Sequence, residues 1–154
     1  MSYSHTVGSV DIPQYMGTWY VWAGRTTFFE RDAYSPAEHY SWNESQNRID
    51  VDFTFHKGGF EGPIKRIPQK AWVKDKVTHA RWKVQPFWPL KFDYLILDLD
   101  PKYQWTAVGV PSGSYLWIMG RSPQANAKQI EAVIKRVKEL GYPVDDIVRM
   151  PQKS

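Results

Sequence analysis

The 154-residue chain contains no cysteine. That excludes disulfides, thiolate metal sites and cysteine nucleophiles, and it leaves the redox compartment open. No apolar run approaches the roughly 18 residues a membrane-spanning helix needs. Mean hydropathy is -0.53, so apolar surface has to sit in short, alternating segments. Blocks of like charge are short as well; Lys135-Arg136-Val137-Lys138-Glu139 is typical. The net charge of +4 therefore reads as a solvated surface, and no nucleic-acid partner is expected. No His-Glu-x-x-His, Gly-x-Ser-x-Gly or phosphate-binding glycine loop occurs. No catalytic residue, metal ligand or cofactor is expected.

What the chain does have is aromatic side chains: eight Trp, nine Tyr and seven Phe. These carry large buried areas, and the length suits one domain over residues 1–154. Strand-like runs recur at short spacing: Thr18–Ala23, Glu38–Trp42, Arg48–His56, Gln69–Lys74, His79–Val84, Tyr94–Asp100, Trp105–Val110 and Ser114–Gly120. In the clearest, Ile49, Val51, Phe53 and Phe55 share one face, with Asp50, Asp52, Thr54 and His56 on the other. Pro86-Phe87-Trp88-Pro89 breaks the pattern. Ile12–Met16 predicts a single 3₁₀ turn across one end.

The last three runs are apolar on both faces, so they need a cover on each side. Ile130, Val133, Ile134, Val137 and Leu140 supply one at helical spacing. Asn126 with Gln129 resembles a capping box, and Gly141 suits the C-terminal cap. The expected fold is all-β: an eight-stranded antiparallel up-and-down barrel over about 17–120, with the helix, about 126–140, packed outside and a short final strand at about 146–150. Eight strands leave an interior for packed side chains or one small ligand.

Three blocks carry a resemblance. Gly17-Thr18-Trp19-Tyr20 matches the Gly-x-Trp-Tyr of lipocalins. Tyr94–Asp100 with Tyr103 resembles their second block, and Arg121 ends the third. Tyr115-Leu-Trp-Ile-Met-Gly-Arg-Ser-Pro123 is similar to the group holding bacterial outer-membrane lipocalins, plant temperature-induced lipocalins and apolipoprotein D. The resemblance runs from about Ile12 to Ile147. Two stretches depart from it: Gly120 replaces the usual Ser or Thr, and Gly58–Gln69 does not follow the pattern between strands three and four. The resemblance implies structural roles for Gly17, Trp19 and Arg121, with Arg121 packed across the Trp19 indole at the closed end.

It also implies a small hydrophobic ligand inside the barrel, a fatty acid or lysophospholipid, to be transported or stored. The wall candidates are Ile49, Val51, Phe53 and Phe55 on one strand, Ala71 and Val73 on the next, then Trp82 and Val84, Tyr94 and Ile96, and Tyr115 and Trp117. A head group is expected at the open end near Lys65, Arg66, Lys74 or Arg81, each of which also reads as ordinary surface charge. Trp22 and Trp88 read as exposed and suited to a homodimer contact, and peripheral membrane association is a further expectation. Met1-Ser2-Tyr3-Ser4-His5 lacks a secretory signal. The location expected is periplasm or outer-membrane face for a mature form, and cytoplasm for a native start Met. Alternatives are a lipocalin-fold enzyme, a haem- or pigment-binding barrel, for which His39 is the one histidine of open facing, and an avidin-like binder. A fatty-acid-binding barrel would need two helices where Arg25–Tyr34 is too short.

Overall fold

In the computed structural model, which describes residues 3–25 and 32–153, the alternation along each strand becomes the inside and outside of a barrel. A single helical turn, α1 (Ile12–Tyr15), leads into β1 (Gly17–Arg25). Then come β2 (Ala33–Asn43), β3 (Arg48–Lys57), β4 (Ile64–Val73), β5 (Arg81–Phe87), β6 (Leu90–Leu99), β7 (Trp105–Gly109) and β8 (Leu116–Gly120). Each pairs antiparallel with its neighbour in sequence, and β1 closes the ring by pairing with both β8 and β2. Helix α2 (Ala127–Glu139) follows, and β9 (Val148–Arg149) adds to β1 at Ala23 and Gly24. Among the described residues no helix is long and apolar enough to cross a membrane. The Arg25–Tyr34 argument turns on residues 26–31, which lie outside the described set.

Two apolar layers hold the sheet. The outer layer explains why β6, β7 and β8 are apolar on both faces: Leu95, Leu97, Leu116 and Ile118 pack under Ile130, Val133 and Val137 of α2. The helix starts where Asn126 Oδ1 accepts from the Gln129 N–H at 2.7 Å, which satisfies one of its orphan donors. It is pinned by Arg136, whose Nε donates to Asp98 Oδ2 at 2.7 Å. The inner layer runs from Trp19 and Tyr15 through Tyr40, Trp82 and Tyr94 to Phe53.

Four expectations change. The turn at Ile12–Tyr15 is α-helical rather than 3₁₀, since the Tyr15 and Met16 N–H groups donate four residues back to Asp11 O and Ile12 O. Strand β4 begins at Ile64, not Gln69, and runs through Pro68, which sits opposite Asp52. Ile67 against Phe53 and Ala71 against Ile49 keep its register across the proline. Pro86 likewise lies inside β5, and the reversal falls at Trp88-Pro89. Trp22 is not exposed: it is 3% accessible, with its Nε1 donating to Ser122 O at 2.7 Å. It therefore cannot make a dimer contact, whereas Trp88 is 84% exposed.

Candidate functional site

One end of the barrel is sealed by three carbonyl groups and an arginine. Arg121, just past β8, lies 3.7 Å over the Trp19 ring. Its guanidinium donates to Gln14 O at 2.7 Å, Thr18 O at 3.0 Å and Tyr103 O at 3.2 Å. It thus ties α1, β1 and the β6–β7 turn together, a task for which a planar fork is suited. Trp19 is fully buried and donates to Tyr15 O at 2.9 Å. Gly17 has φ +103°, and a Cβ there would stand 3.3 Å from Arg121 Nη1.

Above this seal lies a layer of aromatic rings. Trp82 is met edge-on by Tyr15 and Tyr40 at 5.5 and 5.6 Å, and Tyr94 stacks on it at 4.8 Å. These rings fill the lower barrel. Burial, followed by the nearby Glu38 charge, pushes the Tyr40 hydroxyl well above its ordinary pKa. Burial does the same to Tyr94, with Tyr15 and Tyr40 adding to it.

Beyond the aromatic layer the described side chains no longer meet across the barrel. A cavity of about 740 Å³ opens toward the β5–β6 hairpin. Seven of the residues chosen from sequence line it: Val51, Phe53, Trp82, Val84, Tyr94, Tyr115 and Trp117. Five do not. Ile49, Ala71 and Val73 sit at the sealed end, where β3 starts and β4 stops, and Ile96 is wholly buried. Phe55 is packed into the wall, its ring 5.5 Å from Phe53. Alternation tells which way a side chain faces, but not how far along the barrel it stands.

The sequence reading missed part of the wall. Glu38 and Tyr40 line the cavity from β2, as do Ile67 and Gln69 from β4 and Phe92 from β6. Glu38 and Tyr40 share the parity of an inward face. Ile67 and Phe92 flank the prolines that obscured their strands. Met119 continues the Tyr115–Trp117 alternation. At the rim, Phe87 and Leu90 line the mouth while largely exposed.

The proposed head-group cations divide between the two ends. Lys65 and Arg66 lie at the start of β4, by the mouth. Lys65 faces the same way as Ile67, while Arg66 bonds outward to Asp52 at 2.9 Å. Lys74 and Arg81 are at the sealed end: the Lys74 N–H donates to Arg81 O, and Arg81 reaches Ser4 O. They are too distant to serve the mouth. His39 bridges Thr18 and Thr54 at 2.9 Å each, on the outer face. Among the described residues no three metal-binding side chains come together.

Comparison with known proteins agrees with this geometry. A Lipocalin-like domain model matches residues 10–152. Temperature-induced lipocalin-1 of Arabidopsis thaliana is 30% identical over 153 residues, covering 96% of this chain and 82% of its own. The outer membrane lipoprotein Blc of Vibrio cholerae is 25% identical over 151 residues, covering 96% and 85%. Among solved structures, insecticyanin from the tobacco hornworm superposes with a TM-score of 0.74 at 12% identity, covering 99% and 86%. Lobster apocrustacyanin A1 gives 0.70 at 13%, covering 99% and 92%. With the sealed end, the closed eight-stranded sheet and the outer helix in place, the chain belongs to the lipocalin family.

Proposed function

We propose that the protein binds and carries a small hydrophobic lipid, a fatty acid or lysophospholipid, with its chain in the barrel. The observation that carries this reading is the cavity, about 740 Å³ and walled largely by Val51, Phe53, Val84, Phe92 and Trp117. Its volume lies in the range of sites that enclose a small molecule. Each methylene moved from water into such a wall gains about 0.8 kcal/mol. A 16-carbon chain thus gains about 13 kcal/mol before ordering and association costs, which leaves micromolar or tighter binding within reach. The acidic head would lie at the rim beside Lys65.

The rim supports a role at a lipid surface. Phe87, Trp88 and Leu90 are exposed around the mouth, and Lys57 and Lys65 are exposed at the same end. An aromatic tip with cations around it suits peripheral contact with anionic lipid. The outer-membrane description of the Vibrio cholerae relative supports an envelope location.

The test is a titration of delipidated protein with a long-chain fatty acid and a lysophospholipid, following the fluorescence of Trp82 and Trp117. Saturable change at micromolar concentration is expected. Phe53→Arg, checked for unchanged thermal unfolding, should abolish it. No change with either lipid would overturn the reading.

A further inference from the structure

The floor of the cavity is polar. Tyr40 and Tyr94 both line it, are 4% and 7% exposed, and hold their hydroxyl oxygens 2.5 Å apart. Beneath them the Tyr15 hydroxyl is 3.1 Å from Thr106 Oγ1, and Thr106 donates to Asp98 O at 3.1 Å.

Counting hydrogens fixes the lower part of this chain and leaves two states for the upper part. A hydroxyl has one hydrogen and two lone pairs. Thr106 spends its hydrogen on the Asp98 carbonyl, so Tyr15 must spend its own on Thr106. Tyr15 can then only accept from above, and Tyr94 is the ring that interacts with it there. Tyr40 and Tyr94 have two hydrogens between them, and their mutual contact uses one. If Tyr94 donates down to Tyr15, Tyr40 donates to Tyr94 and keeps lone pairs to offer. If Tyr94 donates to Tyr40, the Tyr40 hydrogen is offered instead. A ligand hydroxyl complements both states, because it donates and accepts. A carboxylate complements only the second, and Glu38 stands two residues from Tyr40 in the same wall, so a second negative charge there is disfavoured.

We propose that the Tyr40–Tyr94 pair is a seat for a neutral hydroxyl at the buried end of the ligand, so that the favoured lipid is an acyl chain hydroxylated at its far end. This rests on the carrier reading above and specifies its ligand: carboxylate at the rim, hydroxyl on the floor. An apolar floor would penalise such a chain, since a buried hydroxyl without a partner costs about 1–3 kcal/mol. Here the phenols remove that penalty. Both stay protonated through the neutral range, because burial holds their pKa values up.

The experiment compares ω-hydroxydodecanoic and ω-hydroxyhexadecanoic acids with their unsubstituted parents, in the native protein and in Tyr40→Phe/Tyr94→Phe, by tryptophan fluorescence. Thermal unfolding checks that the variant is folded, and Tyr40→Phe alone serves if the double variant is not. In the native protein at least one hydroxy acid should bind as tightly as its parent or tighter. In the variant that acid should lose about tenfold relative to its parent. Weaker binding of both hydroxy acids to the native protein, or an equal change for hydroxy acid and parent in the variant, would overturn the proposal. If the native protein binds neither parents nor hydroxy acids, the carrier reading itself fails.

Discussion

Gly120 stands where lipocalin resemblance calls for Ser or Thr, and Trp22 supplies the reason. An ideal Cβ on Gly120 would lie 1.7 Å from Trp22 Cζ2 and 2.1 Å from Cη2. The Gly120 backbone cannot retreat, because it is paired with Tyr20 on one side and Trp105 on the other. The indole is boxed in too, bonded to Ser122 O and buried beside α2. Gly120→Ala should therefore push the ring out. Overpacking alone costs about 1–3 kcal/mol. Lost indole burial and its hydrogen bond bring the total to about 4 kcal/mol. Reduced freedom of the unfolded chain returns about 0.5–1 kcal/mol, leaving a net loss of about 3. Trp22→Ala should cost about 3–5 kcal/mol by itself. Once the ring is gone the added methyl meets nothing, so the double variant should be no less stable than Trp22→Ala. Urea unfolding of the four proteins should give a coupling of about 3 kcal/mol, and Gly120→Ala should melt roughly 6–12 °C lower. Additive losses, or Gly120→Ala within about 1 kcal/mol of the parent, would refute the clash.

Arg121→Lys should cost about 2 kcal/mol in urea unfolding, because an ammonium cannot stack on Trp19 and hold three carbonyls together; lipid affinity should not change, since the seal lies below the cavity. Acid should destabilise the fold through two aspartates. Burial alone would raise Asp50, but hydrogen bonds from Arg48 and Asn43 outweigh it and hold it below its ordinary 3.8. The Thr78 and then Val77 N–H groups do the same for Asp75. Folded values below the unfolded one mean stabilisation that is complete above 3.8 and lost as pH falls through the folded values. Asp75→Ala should make the acid limb of the stability curve shallower, and an unchanged limb would refute this. In alkali the sign reverses: Tyr40 and Tyr94 have folded values above the ordinary 10.0, so their stabilisation is intact below 10 and lost as pH rises beyond it. Their phenolate absorbance should appear only with unfolding, and its appearance in folded protein would count against their burial.

The barrel was legible because its evidence is local. Arg48–Lys57 alternates almost without interruption, and the two-sided apolarity of β6 and β8 demanded the helix that the Ile130, Val133, Val137 spacing supplies. Proline misled the reading where tertiary pairing overrode it. Pro68 lies inside β4, with Ile67 against Phe53 and Gln69 against Val51 holding register on either side, whereas at Pro86 the strand continues through a bulge between Val84 and Phe87. The site was half legible for a different reason. Parity separated inward from outward, so Phe53 and Val84 were found. Height along the barrel depends on strand stagger, which no single strand encodes, so Ile49 and Ala71 were placed too near the mouth. Trp22 was misplaced because nothing in β1 announces that Gly120, about a hundred residues on, leaves a slot for its ring.

The arrangement of the aromatics accounts for the persistence of an open cavity in a chain so rich in them. Large side chains in an eight-stranded barrel can collapse into its middle. Here Tyr15, Tyr40, Trp82 and Tyr94 are tied to one another and to the sealed end by ring contacts and by the hydroxyl chain to Thr106. A ring that moved upward would strand a buried hydroxyl, at a cost of about 1–3 kcal/mol. In the wall above, the shorter Val51, Val84 and Met119 stand among the rings of Phe53, Phe92 and Trp117 and leave the space between them open. The two ends therefore answer to different constraints. Substitutions in the seal and the aromatic layer should change stability, whereas those at Phe53, Val84 and Phe92 should change ligand affinity. Tyr40 and Tyr94, where the two regions meet, should change both.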